Sequence, residues 1–226
     1  MIMTKKMEKV DRIFEKINGG YLCIMAVVIL LILSLTAQSI YLQTDPSFGM
    51  FTNYVSDMGA GPVEVKLIML IQGIVGGTLL IVIVLFIGSD LEQKNEDPTL
   101  IKLDVLLGIL TGIWFILVGV FPYDPVLPFS FEMHNIMAVL CSSTLSITLF
   151  LYGYIEYKNT EIANFLVPFT LLTSVLFGIW ITGFTIVVYT AVPPQPFTYA
   201  IEWISIGSLL LWLIIHGIYF IKQENS

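Results

Sequence analysis

Six long apolar stretches constrain this chain more than any other feature of its sequence. Each is about as long as the 20 or so helical residues that cross a bilayer, and none has the polar face of a surface helix. Lipid offers the backbone no hydrogen-bond partners, so such stretches must be helices. We predict an all-α membrane protein, a six-transmembrane-helix bundle, with spans at Gly20–Leu42, Val65–Gly88, Leu103–Phe121, His134–Ile155, Ala163–Tyr189 and Thr198–Ile221.

Composition narrows the class further. Hydrophobic residues make up 57% of the chain and charged residues 12%, about half the charged share of a typical soluble domain. The net charge of −7 argues against a nucleic-acid partner. Cys23 and Cys141 lie inside apolar stretches without a CxxC neighbour, which indicates packed, inert thiols rather than a disulfide framework or a zinc ribbon.

The lysines and arginines predict how the chain sits in a cytoplasmic (plasma) membrane. Five precede the first span, in a basic N-terminal segment 1–19. Four of the others lie in the second and fourth connections or directly before the short tail 223–226. Only Lys66 falls on the opposite side, where we expect it to extend outward. The excess of positive charge on one side makes that side cytoplasmic. Both termini are therefore predicted to be inside, with a single transmembrane domain at 20–222.

The outer loops, at about 44–64, 122–133 and 190–197, contain the candidate functional residues. In the first loop, Asn53, Ser56 and Asp57 precede Gly59 and Pro62. Ser56 and Asp57 could anchor a polar ligand site that the glycines let a ligand approach. The alternative, which the spacing favours, is a capping turn in which both side chains accept hydrogen bonds from free backbone amides.

His134 is predicted to open the fourth span near two carboxylates, Asp124 and Glu132. An imidazole beside carboxylates can act as a general base or as a metal ligand. The alternative of equal weight is an interfacial histidine that caps the fourth helix.

Glu202 lies in the first turns of the predicted sixth span. A carboxylate at that depth is costly and usually faces the interior of the bundle, a partner or a water-filled cavity. The alternative is that the helix starts later and that Glu202 is simply hydrated. We favour the buried, functional position.

Small residues at helical spacing predict close packing between helices. Gly73 and Gly77 are four residues apart, as are Gly108 and Gly112, and such pairs let two backbones approach. The fifth span carries a similar stripe at Thr170, Thr173, Ser174, Gly178, Thr182 and Thr185. His216, near the end of the sixth span, is predicted to be interfacial.

At these motifs the sequence resembles the prokaryotic, largely archaeal membrane family called domain of unknown function nine-nine-eight. That family has an Asn-x-x-Ser-Asp-Leu-Gly motif after its first helix, matched here by Asn53, Ser56, Asp57 and Gly59, with Met58 in the leucine place. The further matches are Val118 to Pro122, His134, Glu202 and Trp212. The resemblance implies six helices and a shared outer site that includes Asp57, His134 and Glu202, and it implies no activity.

We expect these residues to form a polar pocket near the outer leaflet that binds a membrane lipid headgroup or another amphipathic ligand. The predicted ligand-binding residues are Asn53, Ser56, Asp57, Asp124, His134 and Glu202. A divalent cation would be held by Asp57, Asp124, His134 and Glu202. This expectation is motivated by acidic groups and one histidine that face the same side without a basic partner.

Three other functions stay open on the sequence alone. A membrane-embedded hydrolase or transferase would use His134 as its base, with Asp57 or Glu202 orienting it. A small transporter would use the same pocket without chemistry. A structural partner of another membrane protein, or a homo-oligomer, would use the motifs only as helix caps.

Overall fold

Six helices make up the transmembrane part of the protein that the structure describes. The computed structural model describes residues 18–94, 97–159, 162, 164–190 and 193–224. Within these ranges six helices are long and apolar enough to cross a membrane, and no strand occurs, so the predicted all-α class is confirmed. They are α1 (Gly19–Tyr41), α2 (Val63–Gln93), α3 (Pro98–Val120), α4 (Pro128–Lys158), α5 (Leu166–Thr190) and α6 (Pro196–Glu224).

Several helices extend beyond their predicted spans because hydrophobicity marks only the part inside lipid. α2 and α4 are each 31 residues long, and they extend into polar sequence. Prolines mark the starts: Pro98, Pro128 and Pro196 are first residues of helices, where the missing N–H costs nothing. Residue 163, the predicted start of the fifth span, lies outside the described residues, as do residues 1–17 of the basic segment and residues 225 and 226 of the tail.

The helices form a closed ring in chain order. Each helix packs against its neighbours in sequence, and α6 returns to pack against α1. A 3₁₀ helix, Val55–Ala60, lies in the α1–α2 connection and contacts α1, α2 and α6. We call its side of the ring the loop face. The opposite side, where α1 begins and α6 ends, is the termini face.

Glycines bring α2 and α3 into backbone contact, as the sequence predicts. A Cβ on Gly73 would lie 2.7 Å from the Cα of Gly119, and Gly77 faces the carbonyl oxygen of Gly112. Such close approach maximises dispersion contacts between helices, which replace the hydrophobic effect inside lipid. These glycines therefore hold the α2–α3 pair together.

Hydroxyl groups join α4 and α5. The Ser146 Oγ donates to the carbonyl of Ser174 at 2.9 Å, and the Ser174 Oγ donates to the carbonyl of Ser146 at 2.8 Å. Thr170 and Thr173, from the same predicted stripe, are also buried, whereas Thr182 is exposed. The stripe packs along its first half only.

Gly73→Ala should destabilise the protein because the added methyl group would collide with the α3 backbone. Overpacking of this kind typically costs about 1–3 kcal/mol. The matched control is Gly207→Ala, since Gly207 has nothing within 4 Å of its Cβ position. The measurement is the apparent melting temperature, followed by a thiol-reactive dye that reaches the buried Cys23 and Cys141 only on unfolding. Equal melting temperatures for the two variants would contradict the contact.

Candidate functional site

Glu202 holds the start of the 3₁₀ helix at the loop face. α6 begins at Pro196, so Glu202 lies within the helix, and it is only 5% exposed. The Val55 N–H donates to its Oε2 at 2.7 Å, and the indole of the adjacent Trp203 donates to the carbonyl of Asn53 at 3.0 Å. The alternative of a later helix start with a hydrated Glu202 is therefore wrong. α6 positions the 3₁₀ helix through both residues.

Asp57 makes the capping contact that the alternative interpretation of the first loop predicts. Its Oδ2 accepts a hydrogen bond from the Tyr54 N–H at 3.0 Å, and the Asn53 amide lies 3.5 Å away. Burial raises the pKa of Asp57 from 3.8 to about 6, although both hydrogen bonds act to lower it. Asp57 is thus a capping carboxylate that is costly to ionise.

His134 is anchored to the end of α3 rather than to a carboxylate. Its side chain is buried, and its Nδ1 lies 2.7 Å from the carbonyl oxygen of Phe121. A carbonyl can only accept, so Nδ1 carries the proton and Nε2 of the neutral ring is an acceptor. The ring also packs edge-on against Tyr123. The interfacial, helix-capping alternative does not describe this buried histidine.

Asp124 has a basic partner, which corrects the expectation that the acidic groups of this face lack one. The Lys66 Nζ lies 2.6 Å from Asp124 Oδ2. Hydrogen bonds from Lys66 and from the Val126 N–H lower the pKa of Asp124 below its usual value. Because the lysine side chain is 31% exposed, solvent screens this pair, and its contribution to stability is modest. Lys66 therefore reaches across to the α3–α4 connection.

A cavity of about 180 Å³ fills the centre of the helix ring. All six helices contribute to its lining, which is mainly aliphatic and aromatic. Its polar residues include Ser56, Gln72, His134, Ser142 and Glu202, and the described lining contains no lysine or arginine. Two buried atoms on the lining residues, Gln72 Oε1 and Trp180 Nε1, have no hydrogen-bond partner. The cavity can therefore hold an apolar group and offers polar contacts.

The structure brings together only some of the predicted site residues. Ser56, His134 and Glu202 line the same cavity. Asn53 and Asp57 bond to each other within the first loop, and Asp124 bonds to Lys66. Within the described ranges no group of three or more His, Cys, Asp or Glu side chains is placed to hold a metal ion. The divalent cation stays a prediction.

Two ionisable residues near the termini face, Asp104 and Glu156, were missed by the sequence analysis, and a third, His216, was predicted to be interfacial. All three are buried, at 3%, 0% and 0% exposure, so the expectation that His216 is interfacial is wrong. Asp104 lies inside the predicted third span, and an ionisable residue within a span is the sequence signal that could have identified this site. Glu156 follows directly after the predicted fourth span, at a position that the sequence analysis placed outside the membrane.

The ring of six apolar helices around a cavity defines the class of this protein: it is an integral, multi-pass membrane protein. A family model described as "Protein of unknown function (DUF998)" matches residues 24–219. The chain belongs to that family, which confirms the resemblance seen in its motifs. No curated protein and no solved structure matches the chain significantly.

The raised pKa of Asp57 predicts that the protein loses stability as the pH rises from about 4 to 7. The folded pKa, about 6, exceeds the ordinary aspartate value of 3.8, so the folded state holds its proton to higher pH and ionisation disfavours folding. The full effect is at most about 3 kcal/mol, at 1.36 kcal/mol per pKa unit. Melting temperatures of the wild type and Asp57→Asn across this range provide the measurement.

Asp45→Asn is the matched control, because Asp45 is a carboxylate of the same loop that bonds to the nearby Ser47. The pH slope should shrink in Asp57→Asn and persist in Asp45→Asn. An unchanged slope in Asp57→Asn would show that Asp57 is not the group responsible.

Proposed function

We propose that this protein binds a small amphipathic molecule in the central cavity. The apolar part would lie among the side chains of all six helices, and the polar end would face Ser56, His134 and Glu202. One observation carries the proposal: a mainly apolar cavity of about 180 Å³ with three sequence-predicted polar residues in its lining. Cavities of this kind, with a few convergent polar groups, are the usual form of ligand sites.

The size of the cavity limits what can enter. An engineered apolar cavity of about 150 Å³ in another protein binds a benzene ring, so about 180 Å³ has room for one ring or a short hydrocarbon segment. A complete lipid does not fit. The ligand is therefore either a small amphipathic molecule or one end of a lipid tail with a polar terminus.

The charges around the cavity limit the polar end of the ligand. Glu202 is the acidic residue of the lining, and no lysine or arginine stands among the described lining residues. An anionic headgroup would lack a counter-charge there, whereas a hydroxyl or ammonium group can donate to Glu202 Oε1 or His134 Nε2. We therefore favour a neutral or cationic polar end over a phosphate bridged by a divalent cation.

The hydrolase or transferase alternative receives less support than binding. His134 bonds to the Phe121 carbonyl, and Glu202 and Asp57 accept from backbone amides. A general base of the predicted kind needs a carboxylate that orients the imidazole. Neither carboxylate bonds to His134 in this arrangement. The structural-partner alternative would leave the cavity without a role.

Ligand binding should depend on the cavity and on the carboxyl group of Glu202. Ala138→Leu places three further carbon atoms in the lining and should weaken binding by about tenfold or more, equivalent to about 1.4 kcal/mol. Glu202→Gln should weaken binding of a donor headgroup and spare the fold, because a glutamine oxygen can still accept from Val55. The probe is a bromine-terminated medium-chain alcohol, measured in nanodiscs by saturable quenching of tryptophan fluorescence.

Glu132→Gln is the matched control, since Glu132 is an exposed carboxylate of α4 near the same face. Trp180→Phe locates the signal, because Trp180 lines the cavity. Quenching that is not saturable, or that is equal in Ala138→Leu, Glu202→Gln and Glu132→Gln, would overturn the proposal.

We further propose that the loop face lies outside the cytoplasmic membrane and the termini face inside. The distribution of basic residues supports this orientation. Single cysteines at two exposed positions test it: Ser47→Cys at the loop face and Thr99→Cys at the termini face. An impermeant thiol reagent added to intact cells should label the first and spare the second. The reverse pattern would invert the orientation.

A further inference from the structure

His216 and Glu156 form a buried pair between α6 and α4, near the termini face. The His216 Nε2 lies 2.7 Å from Glu156 Oε1, and both side chains are fully buried. The His216 Nδ1 lies 2.9 Å from the carbonyl oxygen of Trp212. Since that carbonyl can only accept, Nδ1 carries a proton. The short contact at Nε2 then requires a second proton, shared between the imidazole and the carboxyl group.

Neighbouring groups hold this pair in place. The Trp212 indole donates to Thr170 Oγ1 at 2.8 Å, and that hydroxyl lies 3.4 Å from His216 Nε2. The ring of Trp212 also stacks at 4.3 Å, centroid to centroid, against the imidazole. A ring fixed in this way cannot turn to find another partner, so the proton stays between His216 Nε2 and Glu156 Oε1.

Asp104 adds a second carboxyl group next to this pair. It is 3% exposed, it interacts electrostatically with Glu156, and its Oδ1 has no hydrogen-bond partner. The Oε2 of Glu156 is also buried without a partner. Asp104 lines a small cavity of about 20 Å³ together with Thr148 and Tyr152. This cavity has room for about one water molecule.

We propose that Asp104, Glu156 and His216 form a proton-binding site inside the membrane. The Glu156–His216 pair holds one shared proton, and Asp104 holds another as a neutral carboxylic acid. An ionised carboxylate in such an apolar place has to be paired, or it neutralises by taking up a proton. Among the described residues no lysine or arginine makes an ion pair with Asp104 or Glu156.

Among the residues that the structure describes, the groups around the site do not supply the missing positive charge. From α4, Tyr152 faces both carboxyl groups, and it also interacts with Asp90 of α2 and Cys23 of α1. The Nζ of Lys94, directly after α2, lies 2.7 Å from Asp90 Oδ2 and over the ring of Tyr219 on α6. α5 contributes the Thr170 hydroxyl. Lys94 is thus paired with Asp90 and does not neutralise Asp104 or Glu156. A proton is the cation that the site can take.

Infrared spectroscopy of the protein in nanodiscs at pH 7 tests the proton on Asp104. The C=O stretching band of a protonated carboxyl group should be present in the wild type and should lose most of its aspartic component in Asp104→Asn. The matched control is Asp57→Asn. The Asp57 pKa of about 6 leaves it mainly ionised at pH 7, so its replacement should change the band little. Equal bands in the wild type and Asp104→Asn would overturn the proposal.

A measurement on the wild type keeps the test valid if Asp104→Asn does not fold. Protein labelled with carbon-13 in its aspartate carboxyl groups should show part of the protonated-carboxyl band shifted to lower frequency at pH 7. An unshifted band would mean that no aspartate holds a proton, which contradicts the assignment to Asp104.

Nitrogen-15 NMR of histidine-labelled protein tests the shared proton. The chain has two histidines, so His134 serves as the internal reference. In the wild type the His216 Nε2 resonance should differ from that of His134 Nε2 and should move towards it in Glu156→Gln, where no proton can be shared. A His216 resonance unaffected by Glu156→Gln would overturn the pairing.

Discussion

The contact between α1 and α6 closes the helix ring, and the central cavity depends on this closure. At the termini face, Gly20 lies directly against the backbone carbonyl of Gly217, an approach that a side chain at position 20 would prevent. At the loop face, Glu202 and Trp203 of α6 bind the backbone of the α1–α2 connection. A gap between these two helices would expose the polar lining of the cavity to lipid, which has no hydrogen-bond partners to offer.

Buried polar groups at both ends of the bundle need partners within the protein, because lipid offers them none. The two ends meet this need in different ways. At the loop face, buried carboxylates accept hydrogen bonds from backbone amides, as Glu202 does from Val55. At the termini face, Glu156 and His216 bond to each other and leave a carboxylate oxygen without a partner. A backbone amide gives a buried carboxyl oxygen a hydrogen-bond partner in place, whereas a buried carboxylate oxygen without a partner is relieved by a proton. This difference separates a site that shapes a cavity from one that binds protons.

Much of the fold could be predicted because the bilayer makes local sequence sufficient for it. The six helices follow from apolar length, and close helix packing follows from glycines spaced four residues apart. Burial of Glu202 was also predicted, from the cost of a carboxylate in a span. The partner of Glu202 was not, because the Val55 amide is 147 positions away in the chain. Hydrophobicity and spacing contain no information about such contacts.

The sequence by itself determined which segments enter the membrane, which helix faces can approach closely and which family the chain belongs to, since these depend on local hydrophobicity, small residues and motifs. Only the tertiary structure decided the partners of the charged groups. Asp124 pairs with Lys66, and His216 is buried with Glu156 instead of lying at the interface. A charged side chain inside a bundle must find its partner on another helix, and which helix is adjacent depends on how the ring closes.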